Sequence, residues 1–479
     1  MLFSFASNYV GAVAAFASTV ILSRLLTPEQ IGVFAVAAAV SALAHTVRDM
    51  GLGEYIVQTR DLTPEKFRAA FTVTLTLSWA MGLAMFLGSW EIGRFYRHEG
   101  AGQVARVLAL NFFLVPFGAI AMSYFQRQLN FFPSFLTTII GMPVAVCVSV
   151  GLALLGWGYM SLAWSSVAAM VVTVAVSVWM RPPEVPWLPG LKGCREMLHF
   201  GKHIFFFSAA NQAGKSAPDI IVGRMIDLTA VGYFSRAGGL AEIVNRTVLR
   251  AISPVCLPYF ASHVHSGADV KAGYLKAVTF ITVIAWPFYG FLGITSYAAI
   301  RLLYGDQWLA AVPYARVLCL AAAIEVTYSF INELLVSTGN VAKNSQFVLA
   351  LQCVRTGVVL AAAPLGLTAV AWAMVSAAVM GGILSQRTLR RMIGLHASEF
   401  ARALRKNLII TAAALIPPLI AEAAIGATPG NYVLFFFATG AASALSWLLA
   451  VRLCGHPIWP EILRSQGALL SRVKSWRNK

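Results

Sequence analysis

Apolar residues along this chain fall in long continuous runs separated by short polar joints; they do not alternate with polar residues. Runs of about 18 or more apolar residues with few charges predict helices that cross hydrocarbon, whereas barrel strands would show a period of two. About fourteen such helices are expected, at roughly 4–23, 31–56, 68–90, 105–126, 134–155, 158–180, 203–223, 230–262, 274–298, 310–335, 345–363, 366–386, 407–425 and 431–453. Proline, glycine and basic residues break the pattern at 181–202, and a second basic stretch follows 386. The expected organisation is a six-helix lobe at 1–180, a linker at 181–202 and a second six-helix lobe at 203–386. A loop at 387–406, two further helices within 407–453 and a basic tail at 454–479 complete it.

An internal match supports two related lobes. LSRLLTPEQIGVF, from Leu22 to Phe34, returns two hundred residues later as VGRMIDLTAVGYF, from Val222 to Phe234. Arg24, Gly32 and Phe34 fall on Arg224, Gly232 and Phe234 without a gap, and both copies sit at a joint between apolar segments.

Composition agrees: 58% of the 479 residues are hydrophobic and 11% charged, against about 25% charged in an ordinary soluble domain. The net charge of +17 is gathered in alternate connections, not in a nucleic-acid stripe. One set of connections, including the tail, holds 23 lysines and arginines, and the other holds six: Arg24, Arg94, Arg97, Arg106, Arg224 and Arg301. The positive-inside rule then predicts cytoplasmic termini and a cytoplasmic 181–202 linker. The six cysteines are scattered without a CxxC and read as small apolar fillers.

The informative residues are ionisable groups inside apolar runs, each costly unless it faces a partner or a polar cavity. His45, Arg48, Asp49 and Leu52 lie near one helix face, with Gly51 and Gly53 positioned to let the helix bend. Arg48 reads as a cavity cation or as one half of a pair with Asp49, although adjacent helical residues point apart. Lys215 and Asp219 are four residues apart with Pro218 between them and Asn211 one turn earlier, so they form either a structural ion pair or a cavity pair. Glu242, Arg246 and Arg250 recur every four residues as a net-basic stripe suited to an anion. Glu325 and Glu333 are candidates for coupling to H+ or Na+, or for charge balance, with Arg355 a possible partner.

Several classes are disfavoured. No GxxxxGK[ST] or dinucleotide fingerprint is present, so no ATPase is expected within the chain. His263 and His265 with Asp269 have the wrong spacing for a metal on one helix face. No cofactor and no covalent chemistry are expected, and a membrane glycosyltransferase would need larger outer loops.

The stretches LSRLLTPEQIGVFAVA (22–37), RDMGLGEYIVQ (48–58) and FGKHIFFFSAANQAGKSAPDIIVGRMIDLTAVGYFSRA (200–237) resemble bacterial oligosaccharide flippases of the polysaccharide-export type. These are related to O-antigen and exopolysaccharide flippases and, distantly, to lipid II flippases and multidrug-and-toxin exporters. The resemblance implies two six-helix lobes around a V-shaped cavity with two appended helices, in a bacterial inner membrane. It implies an oligosaccharide on undecaprenyl diphosphate as substrate, a polysaccharide polymerase and export machinery as partners, and action as a monomer. It places Arg48 and the basic residues Lys215, Arg246 and Arg250 near the diphosphate, by position. The first spans carry fewer arginines than those of a lipid II flippase. An ion-coupled small-solute or multidrug antiporter on the same architecture is the alternative.

Overall fold

The computed structural model describes residues 2–59, 61–185, 188–461 and 463–464. Arg60, the tail beyond 464 and the side chains of Lys202, Arg246 and Arg250 lie outside the described residues. Every regular element among the described residues is helical. Among the described residues ten helices are long and apolar enough to cross a membrane, or eleven if one bent pair counts as a single span. The protein is therefore an all-α, multi-pass membrane protein.

The chain packs as two compact units. The first runs to Ser235 and includes Leu303–Trp308 and Val348–Val370; the second comprises Arg236–Leu302, Leu309–Phe347 and the chain from Ala371 onward. Ten helices build most of the first unit: α1 (Leu2–Leu25), α2 (Pro28–Asp49), α3 (Leu52–Gln58), α4 (Pro64–Leu87), α5 (Ser89–Tyr96), α6 (Glu99–Leu114), α7 (Pro116–Arg127), α8 (Phe132–Leu154), α9 (Tyr159–Trp179) and α10 (Cys194–Met225). The starts are written locally. Thr27 and Thr63 accept from the backbone N–H three residues on, and Pro28 and Pro64 occupy first-turn positions where no N–H is needed. The 105–126 segment, expected as one span, bends by 56° at Val115–Pro116, where proline removes a backbone donor. Leu52, Tyr55, Ile56, Phe67, Phe71, Ile120 and Met197 form a buried cluster near α3. Little of α8 is buried, as expected of a lipid-facing span.

The second group continues as α11 (Leu228–Val244), α12 (Arg250–His265), α13 (Val270–Ile294), α14 (Ser296–Tyr304), α15 (Val312–Glu325), α16 (Ile331–Ser337), α17 (Val341–Ala362), α18 (Leu367–Ile393), α19 (Ala397–Ala424) and α20 (Tyr432–Leu453). Lipid offers no hydrophobic force between helices, so polar groups and close packing hold α13, α19 and α20 together. Asn407, fully buried, donates to Thr279 O at 2.8 Å and to Thr282 Oγ1 at 2.7 Å. Ser443 and Ser446 donate to Ala414 O and Ala413 O, and Trp447 Nε1 to Val283 O. Each such bond contributes about 0.6 kcal/mol, rarely above about 1.7.

Besides the bent 105–126 pair, three segments expected to cross are helices but fall outside the group of ten: α1, α10 and the α11–α12 stretch. α10 carries Lys215, Asp219 and Arg224, and α11–α12 carries the Glu242–Arg250 stripe. α10 and the α11–α12 stretch are less apolar because they hold the ionisable residues singled out above; of α1, Val13–Leu25 is a shorter apolar helix.

The matched joints have the same local structure. Thr27 Oγ1 accepts from Gln30 N, and Asp227 Oδ1 accepts from Ala230 N, so both copies cap a new helix at the same offset. The copies also face each other within the first unit. A Cβ on Gly32 would lie 1.7 Å from Leu228 O, and one on Gly232 would lie 2.0 Å from Pro28 O. The shared glycine is thus the contact through which α2 and α11 cross, each against the other's first turn.

A second repeated stretch emerges beside this one. ARVLAL at 105–110 matches ARVLCL at 315–320. In each unit the arginine of that stretch binds a serine at the start of the preceding short helix: Arg106 Nε to Ser89 Oγ and Arg316 Nε to Ser296 Oγ, both at 3.1 Å.

Candidate functional site

The 31–56 span is interrupted where its charges lie. α2 ends at Asp49, and Met50 and Gly51 adopt left-handed conformations with φ of 36° and 67°. Arg48 is 8% exposed, and its Nη2 lies 3.3 Å from Asp49 Oδ1. Sequence spacing argued against a direct pair between adjacent helical residues; the helix stops between them and Met50, which lets the side chains converge. The pair is lopsided. Asp49 is 66% exposed and largely screened, while Arg48 Nε is buried without a hydrogen-bond partner. His45 stacks on Phe112, with ring centroids 4.2 Å apart.

α10 runs antiparallel along α2. Gly201 closes on Met50 O, Ser216 Oγ donates to Ala39 O and Gly223 packs on Val36. Asn211 Oδ1 accepts from Gln352 Nε2 at 3.0 Å, and Gly214 makes room for the same glutamine. Gln212 Nε2 donates to Ser216 Oγ at 3.0 Å. Lys215 is exposed and makes no ion pair with Asp219, so the mutual neutralisation read from their spacing does not form. Asp219 is half-buried instead, within electrostatic reach of Arg355 on α17 and of Tyr96 at the end of α5. Pro218 lies inside the continuous helix between them and removes one backbone donor from that turn. Counted along the seam at about 1.5 Å per residue, Arg48 and Lys215 stand at levels roughly 12 Å apart.

In the second unit, residues Asn245–Leu249 form a π-helical turn between α11 and α12. This turn lies inside the Glu242–Arg246–Arg250 stripe, so the stripe does not follow a single α-helical register. Glu242 Oε1 accepts from Asn245 Nδ2 at 2.9 Å; the Arg246 and Arg250 side chains lie outside the described residues. The 310–335 span is also broken, by a 3-10 turn at Val326–Tyr328, which separates Glu325 on α15 from Glu333 on α16. Glu333 Oε1 accepts from Ser253 Oγ at 2.5 Å, and its Oε2 is buried without a partner. Glu325 lies within electrostatic reach of Tyr289 on α13, as does Glu242.

Sequence reading missed Gln352, Tyr96 and Ser253. Each is an ordinary polar residue in an apolar run, and only its distance from a named site residue marks it. The ARVL repeat was a signal for Arg106 and Arg316. Among the described residues no group of three or more histidine, cysteine, aspartate or glutamate side chains is placed to hold a metal ion.

Comparison with known proteins gives a consistent picture. A family model described as "Polysaccharide biosynthesis protein" matches residues 21–313, more than half of the chain. The chain is 23% identical over 387 residues to the teichuronic acid biosynthesis protein TuaB of Bacillus subtilis (strain 168), covering 78% of each. It is 25% identical over 313 residues to the succinoglycan biosynthesis transport protein ExoT of Rhizobium meliloti (strain 1021), covering 64% of this chain and 63% of that one. The lipid II flippase MurJ in an inward closed conformation shares the fold, with a TM-score of 0.76, 12% identity and coverage of 94% of this chain and 98% of that one.

Proposed function

The chain belongs to the polysaccharide biosynthesis protein family, and from that premise we propose that it flips oligosaccharide repeat units joined to undecaprenyl diphosphate across a bacterial inner membrane. The observation that carries this reading is Arg48, a buried guanidinium at a break in a membrane span, only partly balanced by an exposed Asp49. A diphosphate supplies what that group lacks, since guanidinium binds phosphate oxygens through a planar fork. Lys215 stands further along the same α2–α10 seam, and Arg246 and Arg250 add basic charge in the second unit. The head group then meets cations in succession, while its lipid tail stays in the bilayer. Asn211, Asp219 and Glu242 supply the polar surroundings of the sugar. Two six-helix lobes exposing this path alternately, with both termini cytoplasmic, move the head group without covalent chemistry. The product passes to a polysaccharide polymerase and export machinery.

Glu333 is the preferred coupling group for H+ or Na+, because one of its carboxylate oxygens is buried and unpartnered. Glu325 and Arg355 act beside it or balance charge.

Flipping of undecaprenyl-diphosphate sugars by purified protein in liposomes tests the reading. Arg48→Ala should slow flipping by about tenfold or more, the size of a lost charged hydrogen bond, and Arg48→Lys should restore part of it. Unchanged flipping after neutralising Arg48, Lys215, Arg246 and Arg250 together would reject this site. Transport of small cationic drugs with no flipping would replace the flippase by an antiporter. Glu333→Gln should abolish any dependence on an imposed ion gradient.

A further inference from the structure

The turn between α5 and α6 holds a cavity of about 360 Å³, lined by Ser89, Trp90, Arg94, Arg97, Gln103 and Arg106 among others. It lies at the end of α4, a membrane span whose last residues, Leu83, Phe86 and Leu87, are exposed. Trp90 and Phe95 are exposed on α5 as well. An apolar, aromatic rim beside a cationic pocket at the end of a span is the setting of a lipid head group.

The guanidinium groups are differently engaged. Arg94 is paired with Glu91 at 3.0 Å. Arg106 spends Nε on Ser89 Oγ, and its guanidinium carbon lies 5.8 Å from the ring centre of Phe86. Arg97 makes no side-chain hydrogen bond or ion pair among the described residues. Glu99 also lines the cavity and offsets part of the charge, leaving a net positive pocket. Arg97 carries a further mark: it closes α5 with φ of 54°, a conformation in which glycine is free and an L side chain is strained. Arg97 thus stands in a strained left-handed conformation and opens on a cavity lined by a second guanidinium, Arg106.

We propose that the α5–α6 pocket binds the phosphate of a membrane lipid through Arg97 and Arg106, with the lipid chain lying against Leu87 and Trp90. The site is separate from the Arg48–Lys215 seam and stands whether or not the flipping reading does. The same phosphate chemistry has two sources, an anionic phospholipid of the bilayer or the diphosphate of a transported lipid, and the test separates them.

Full-length protein in nanodiscs of phosphatidylcholine, with or without phosphatidylglycerol, is followed by thermal melting and by native mass spectrometry. Phosphatidylglycerol should raise the melting temperature by several degrees and remain bound. Arg97→Gly should melt at the same or a higher temperature without it, because the strain is relieved, yet lose most of the lipid-induced shift. Arg106→Gln should lose it too. Undecaprenyl diphosphate displacing phosphatidylglycerol at equal mole fraction would support the site and identify the transported lipid as its occupant; retention of phosphatidylglycerol would identify the bilayer lipid. An undiminished shift in the Arg97→Gly, Arg106→Gln double variant, or a full shift with inorganic phosphate alone, would overturn the proposal.

Discussion

In the first unit Arg106 binds Ser89, and Arg94 stands five residues after that serine; in the second, Arg316 binds Ser296, and Arg301 stands five residues after it. The surroundings then diverge. Arg301 Nη1 donates to Tyr297 OH at 3.1 Å, and its guanidinium lies 4.9 Å from the ring centre of Tyr432, at the start of α20. Arg94 has only an exposed glutamate, and the adjoining turn opens as a cavity. The same short helix and serine–arginine bond thus end in a turn where α20 lays an aromatic ring over Arg301, and in a turn that holds a cationic cavity. What the two turns share is the serine–arginine bond; where they differ, one holds the cavity proposed as a lipid site.

The deepest test of the shared framework is at Gly32 and Gly232. Valine at either position would press Cβ into a backbone carbonyl that cannot rotate away. Gly32→Val or Gly232→Val should cost several kcal/mol, beyond the usual 1–3 for overpacking, and should be read as loss of monodisperse protein after extraction. If both accumulate normally, the crossing of α2 and α11 is not a structural joint.

A second test concerns the helices that cover Arg301. His456, just beyond α20, is buried, accepts from Ile458 N and has an unpartnered Nε2. Burial, then the nearby Lys406 charge, pushes its pKa down from 6.5 to about 4. The neutral form is the folded one, so its contribution to stability is complete above pH 6.5 and is lost as pH falls toward 4. Wild type should melt lower at pH 5.0 than at pH 7.5, and His456→Gln should flatten that difference. Equal pH sensitivity in the variant would assign the effect to other groups.

Removing the aromatic cap sharpens the comparison directly. Tyr432→Ala should cost about 1 kcal/mol from the lost cation–π contact, and should make the second turn respond to phosphatidylglycerol as the first does. Melting with and without that lipid checks both. The smallest effect is expected for the serines: Ser89→Ala and Ser296→Ala each remove one hydrogen bond of about 1 kcal/mol. Only Ser89→Ala should also weaken lipid-induced stabilisation, because Arg106 lines the pocket proposed to hold the lipid phosphate.

The helical membrane class and several helix starts were legible in the residues. Continuous apolar runs have no other solvent, and Thr27-Pro28 and Thr63-Pro64 are start signals that operate within a few residues. The Leu22–Phe34 repeat was visible too, because a capped joint needs the same few residue types each time. Pairing of charges was not legible. Arg48 reaches Asp49 because α2 ends there, and Lys215 misses Asp219 although both lie on the continuous helix α10. The break in the 310–335 span, which divides Glu325 from Glu333, left no proline or glycine to announce it between those residues.

By itself, then, the sequence determined the solvent of this chain, its helical class and the two joints that share a short repeated stretch, since these depend on local hydrophobicity and on caps that act over three or four residues. Tertiary structure decided which polar groups meet: Gln352 with Asn211, Ser253 with Glu333, and Tyr432 over Arg301. Those contacts join residues 80 to 141 positions apart in the chain, and a side chain's partner at that separation is set by how helices cross, which no short-range pattern encodes.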